Sequence, residues 1–424
     1  MIRFPHSLFF VSGLLVSASG FAAAATAPAA PPKEWIDPDT GHRVIRLTDE
    51  PGSLSLYFNI NAFTPDGHEM VYITPGHGIG VVDLRTLKTR ELVPGPVGGG
   101  PGAVVVGRKT ATVYYDKPTD DPQVQELWAA DLATGAARKL ATLPRRGGVF
   151  SINADETLGA GSYVIGEGED FRGRNGAGVP GGARSYSEEV RPDKATMMAR
   201  RLAARLPMVQ FITDLQTGAS KAIYASTDWL DHLQFSPTDP ALLMYAHQGA
   251  WNQVDKLWVI RADGSGNRQI DDRIMQMEGA GHQFWDDAGN VWYDLHFPLH
   301  GPVSFVASVN VATGARTWYN YPPEDGSIHF NRSPDGTLFA GDGGREPGGQ
   351  WIYLFRPELI PDDHTLGENL IRPGVLHAER LVNMSKHDYR LEPNVHFSPD
   401  GKWVIFRSNL LGPTYVFAVE ISKP

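Results

Sequence analysis

The chain repeats itself. A β-prone run that ends in Asp or Asn and a tight turn occurs as VVDLRT at Asp83, AADLAT at Asp131, ITDLQT at Asp214, IRADGS at Asp263 and VNVATG at Asn310. Equivalent places follow at Arg356 in YLFRP and at Glu420 in VFAVEI. Four of the six intervals between these marks are 46 to 49 residues; the other two are 83 and 64. A second mark, a turn before an alternating apolar run, is FTPDG at Phe63–Gly67. It returns as FSPTDP at Phe235–Pro240, FWDDAGN at Phe284–Asn290, RSPDG at Arg332–Gly336 and FSPDG at Phe397–Gly401, with INADET at Ile152–Thr157 as a weaker copy. In such a turn Pro sets φ at the first position, while Asp and Gly supply the side-chain acceptor and the positive φ. A period of about 48 residues with short strands predicts an all-β, seven-bladed β-propeller with four-stranded antiparallel blades over residues 35–424. The two long intervals then carry insertions, one Gly/Arg-rich at about 166–205 and the other a loop at about 357–377. Several β-sandwiches are the alternative, but no linker divides the chain.

The ends and the composition narrow the class. Arg3 precedes an apolar run to Phe21 and then AAAATAPAAPP. This pattern predicts a signal peptide over 1–25, a flexible leader over 26–34, and export to the periplasm or beyond. The apolar run is too short for a confident span, and no later segment supports one in the mature chain. With no Cys, disulfides, thiol catalysis and zinc–thiolate sites are excluded. A net charge of −10 argues against a nucleic-acid partner. The expected assembly is a monomer or weak oligomer. No phosphate-binding loop, dinucleotide fingerprint, HExxH or GxSxG sequence occurs.

In a propeller, large aromatic residues pack between blades, and chemistry sits on loops around the central channel. His282 in GHQFW and His329 in SIHFNRSPDG each precede a hairpin turn by a similar interval, which places them alike in consecutive blades. Glu392, Asn394 and His396 precede the last FSPDG at i, i+2, i+4. In an extended segment they share one face. Together with His329 such donors suit a divalent ion; a plain polar edge is the competing reading. Lys256 in QVDKLWVI, and Asp342 and Arg345 in AGDGGREP, add charge nearby. The Arg-rich insertion, from Arg172 to Arg205, is either a cover for an anionic ligand or a solvated excursion. Within it MMARRLAARL reads as a short helix.

With LYFNINAFTPDG, DHLQFSPTDP, AHQGAWNQVDKLWVIRADGS, GHQFW, HFNRSPDGTLFAGDG and PNVHFSPDG in that order, the chain resembles the oligogalacturonate lyases, polysaccharide lyase family 22. The resemblance implies a seven-bladed propeller that cleaves 4-linked uronates by β-elimination, using a histidine base, a manganese ion and an arginine. It implies His282 as the base and Lys256 at the arginine position. It implies His329 as one metal ligand, and Tyr389, Glu392 and Asn394 at the remaining ligand positions. Glu392 and Asn394 retain oxygen donors for a hard cation, whereas Tyr389 does not suit one.

The resulting expectation is an exported lyase acting on an acidic oligosaccharide. His282 and Lys256 carry the catalysis. A divalent metal, Mn in the family, sits on His329, Glu392 and Asn394. His232, His247, Gln248 and Arg345 contact the sugar. The rivals are a non-catalytic carbohydrate-binding or assembly propeller, and a propeller glycoside hydrolase.

Overall fold

The computed structural model describes residues 31–98, 102–165, 194–299, 301–345, 348–361 and 370–424. The predicted signal peptide, most of the leader, and the insertion from Arg172 to Arg191 lie outside the described residues. The body from Lys33 to Pro424 is a unit of its own.

All seven repeat marks fall at the third strand of an antiparallel unit. These third strands are Ile79–Asp83, Gln125–Asp131, Met208–Asp214, Leu257–Arg261, Val303–Asn310, Trp351–Leu359 and Tyr415–Glu420. The second mark is the hairpin between first and second strands, for example between Trp229–Phe235 and Leu242–Gln248. Four sheets are separate four-stranded blades. The fifth and sixth blades are joined into one eight-stranded sheet by a parallel pairing of Arg316–Tyr321 with Ile371–Asn383. The seventh is closed by the N-terminal strand Arg43–Arg46, which pairs with Tyr415–Glu420, so the start of the body completes the last blade.

Two sequence expectations need adjusting. Of the region expected as a loop at about 357–377, the described residues are mostly strand, because Trp351–Leu359 and Ile371–Asn383 reach into it. Glu34, assigned to the leader, already begins a strand, Glu34–Ile36. The expected helix is present at Lys194–Ala204.

The cores lie between blades. Met70, Tyr72, Val81, Val104, Val113, Ile405 and Val416 fill the space where the seventh, first and second blades meet. Tyr321, Phe330, Phe339, Tyr353 and Phe355 do the same for the fifth and sixth, with Phe58 of the first blade reaching in. A side chain this buried is worth about 2 kcal/mol on removal from water, so closure is driven mainly by these wedges. At the channel, polar side chains tie inner strands together. Asn61 Nδ2 donates to Val106 O at 2.9 Å, Phe235 N to Ser151 Oγ at 2.9 Å, and Phe397 N to Asn331 Oδ1 at 3.0 Å. Asn59 Nδ2 donates to Gln283 O at 3.1 Å, and Asn331 Nδ2 to Phe58 O at 3.1 Å. The first blade is not a sequence neighbour of the fifth or sixth. Residues Phe58 and Asn59 therefore reach across the ring to the fifth and sixth blades.

Candidate active site

One backbone feature recurs at the histidine-bearing end. His232, His282 and Asn394 have φ of 52°, 47° and 55°. Each sits at or just before the inner strand of its blade, the fourth, fifth and seventh. In the fourth and fifth blades the register slips there, between Asp231 and Gln234 and between Gly281 and Phe284. A non-glycine residue in the left-handed region costs roughly 1–2 kcal/mol. Such strain persists where the surroundings fix it, often at functional sites. Here the kink lifts a side chain out of the strand's alternation.

His282 Nδ1 lies 3.0 Å from Asp294 Oδ2, on the paired second strand. Asp294 is almost fully buried. Burial pushes its carboxyl well above the ordinary carboxylate range; Asp342 adds to the rise and Lys256 opposes it. His329, fully buried in the next blade, repeats the couple: its Nδ1 lies 2.8 Å from Asp342 Oδ2, and its backbone N–H donates to Asp342 Oδ1 at 2.8 Å. The two imidazoles touch edge to face, with centroids 4.6 Å apart. Phe58 stacks on His329 at 4.5 Å, and Tyr57 meets His329 edge-on at 5.3 Å and stacks on His232 at 6.0 Å. Trp251 stands edge-on to His282 at 4.8 Å, and the buried Lys256 places Nζ 4.4 Å from its ring centre. Trp251 lies flat on Gly281, where a Cβ would come within 2.5 Å of the ring.

His282, Lys256, His329, Glu392, Asn394 and His232 thus meet at one end of the channel. Glu392 Oε2 is 4.0 Å from His329 Nε2. Arg345, exposed, donates to Tyr389 O at 3.2 Å, and the Tyr389 hydroxyl donates to Asp342 O at 3.3 Å, so both border the cluster. His247 and Gln248 contact other groups. His247 stacks on Trp258 at 4.8 Å and lies 2.9 Å from Asp228, and burial holds its pKa down. Gln248 is buried opposite Trp229. The described arginines at the end of the insertion also have structural partners: Arg205 pairs with Asp228, and Arg201 packs over Trp229 at 3.8 Å.

The shared face expected for Glu392, Asn394 and His396 is not formed, because Asn394 is left-handed rather than extended. Its Oδ1 accepts from Phe58 N at 3.1 Å and its Nδ2 donates to Glu392 O at 2.9 Å, so backbone occupies the side chain. His396 is turned inward between Asn394 O and Tyr57 O, and burial lowers its pKa to about 4. For a divalent ion the donors then differ from those expected. Among the described residues buried His329 Nε2 has no hydrogen-bond partner, and with the Glu392 carboxylate it fits as a pair of ligands; Asn394 and Tyr389 do not fit. Among the described residues no three or more His, Cys, Asp or Glu groups converge for a metal.

The sequence reading passed over Asp294, Tyr57, Phe58 and Trp251. Asp294 had a signal: it is the one acid inside the apolar strand NVWYDLHF.

The oligogalacturonate lyase family profile matches residues 200–352. Its likeness is to the oligogalacturonate lyases. That stretch contains Lys256, His282, Asp294, His329 and Asp342 and covers less than half of the chain. An oligogalacturonate lyase in complex with manganese has 20% sequence identity and a TM-score of 0.72, with 92% of this chain and 96% of that chain covered. The oligogalacturonate lyase from Vibrio parahaemolyticus gives 20% and 0.71 over the same shares. The β-propeller domain of Cps50 (Swd1) from Myceliophteria thermophila has 9% identity and a TM-score of 0.52, with 87% and 97% covered. No curated protein matches. The seven-bladed fold and the oligogalacturonate lyase likeness thus agree with the expectations from sequence.

Proposed function

We propose that the protein is a polysaccharide lyase that cleaves short 4-linked uronates, such as oligogalacturonates, by β-elimination. The observation that carries this reading is the His282–Asp294 couple set against Lys256 and His329 at one end of the channel.

The C5 proton of a uronate is α to a carboxylate. It becomes removable only when the carboxylate charge is met by a cation. Lys256 supplies a fixed ammonium in a nearly dry setting, where its field is strong. It lacks the bidentate fork of an arginine, so it holds the charge without fixing the carboxylate plane. A divalent ion on His329 and Glu392 would add Lewis-acid neutralisation of the same carboxylate. His282 Nε2 takes the C5 proton, while Asp294 at Nδ1 orients the ring and stabilises the imidazolium. The C5–H electrons form the C4–C5 double bond, the C4–O4 bond breaks with its electrons on O4, and O4 is then protonated. His232, Tyr57 and Arg345 stand where they would contact flanking sugar residues.

Export, from the N-terminal pattern, fits a role on uronate oligomers outside the cytoplasm. The test is ultraviolet absorbance of the unsaturated product from defined oligogalacturonates. Absence of an absorbance rise, with reducing sugar nonetheless released, would convert the reading to a hydrolase; binding without turnover would make it a lectin-like propeller.

A further inference from the structure

On the turn side of the same inner strands lies a cavity of about 70 Å³ that the proposed reaction does not use. Its walls come from five blades and include Asn59, Arg108, Phe150, Ser151, Gln234 and Trp285. Inner strands run from the histidine end toward the hairpin turns. Trp285 lies three residues beyond His282, and Gln234 two beyond His232, so this cavity lies on the turn side of the histidines.

The chemistry of the walls is selective. Arg108 projects from the hairpin of the second blade. Half of its side-chain surface is open, yet protein surrounds it closely enough that burial lowers its pKa. Among the described residues it donates no hydrogen bond, and Asp287 approaches only to 3.8 Å, itself on the exposed rim. A half-exposed guanidinium with five donors and no bidentate partner favours a carboxylate or phosphate. Ser151 Oγ accepts from Phe235 N, which leaves its own hydrogen to donate. Asn59 and Gln234 each commit their amide N–H to Gln283 O and keep a carbonyl oxygen as an acceptor. Trp285 and Phe150 add flat apolar surface, and Trp285 is held by its Nε1–H on Gln234 O at 3.2 Å. One cation, a mixture of donors and acceptors, and two rings match a sugar bearing one acidic group.

We infer that the turn-side mouth of the channel is a second, non-catalytic site for a carboxylate-bearing sugar, with Arg108 gripping the carboxylate and Trp285 lying against the ring. This stands independently of whether the histidine end eliminates.

The test uses the full chain carrying His282→Ala and Lys256→Met, which weakens the histidine end while leaving this mouth intact. Sodium galacturonate is titrated into it by calorimetry, with galactose and sodium acetate as controls. The expected result is saturable binding of galacturonate, with galactose and acetate each much weaker. Adding Arg108→Gln is expected to weaken binding about tenfold or more, as loss of a charge-assisted pair does, and Arg108→Lys to restore part of it. Circular dichroism and melting temperature report whether each variant is folded. Absence of galacturonate binding up to tens of millimolar, or binding that survives Arg108→Gln in a folded protein, would overturn the inference. Binding of acetate as tight as galacturonate would reduce it to an anion site and overturn the sugar assignment.

Discussion

Blades four to seven and blades one to three share one fold but differ where the inner strand begins. In the fourth, fifth and seventh blades a left-handed residue, His232, His282 or Asn394, breaks the strand's alternation. In the sixth, His329 takes its place by bonding Asp342 through both ring and backbone. Among the described residues the first two blades have no left-handed non-glycine residue at or just before the inner strand, and in the third Arg146, with φ of 61°, stands two residues ahead of Gly148–Ile152. Their buried polar groups, such as Asp116 beneath Val149 N, serve packing. The difference teaches that the ring supplies geometry everywhere, whereas the two touching histidine–aspartate couples lie only in the fifth and sixth blades.

The largest expected effect comes from removing the base. His282→Ala should lower kcat for oligogalacturonate cleavage by ~10²–10⁴-fold with little change in melting temperature; an unchanged rate would detach the kinked blades from the chemistry. Next, Asp294→Asn should cost about a hundredfold or more in kcat by loosening the His282 tautomer. Its pH–rate profile should shift as well, because His282 loses the carboxyl group at its Nδ1. Lys256→Met should lower kcat/KM by roughly 10²-fold, and Lys256→Arg should recover much of it. Chelation followed by manganese addition should restore rate in the native protein and not in His329→Ala; equal restoration in both would remove His329 from the metal.

Smaller effects sharpen the same contrast. Gly281→Ala should displace Trp251 and reduce kcat/KM about tenfold through a misplaced site, while Gly281→Ala combined with Trp251→Ala should fold more stably than Gly281→Ala alone. On the other side of the ring, burial raises the Asp116 carboxyl from 3.8 to about 8. Between those values the folded state binds more protons than the unfolded, so stability falls as pH rises. Asp116→Asn, which keeps an acceptor for Val149 N, should therefore raise the unfolding free energy at pH 8 by an amount on the order of 1–3 kcal/mol, with the gain shrinking toward pH 4. His396 acts in the opposite sense. It stays neutral in the fold down to about pH 4 but protonates near 6.5 when unfolded, so stability should fall as pH drops across that window. Chemical denaturation at stepped pH would show both slopes.

Much of the fold could be read from the chain. Turn chemistry is local, and FSPDG or VVDLRT fixes a hairpin whatever surrounds it. Blade number followed from spacing because each blade needs a similar length of chain. The closure of the last blade by Arg43–Arg46, and the parallel joint between the fifth and sixth blades, carried no local mark. Both depend on which edge happens to be open when the ring forms. Within the site, His282, His329 and Lys256 were legible by position and resemblance. The pairing of each histidine with Asp294 or Asp342 was not, since 12 and 13 residues separate the partners and only strand register brings them together.

The sequence alone determined that this chain would form repeated four-stranded units and would line one part of the channel with imidazoles. The tertiary structure decided which donors remain usable. The i, i+2, i+4 spacing placed Glu392, Asn394 and His396 on one face; a single left-handed turn at Asn394 instead gave Asn394 to backbone groups and buried His396. Periodicity governs a side chain's direction only while φ stays extended, and φ at that residue is set by contacts with Asp342 and Phe58, which lie far away in the chain.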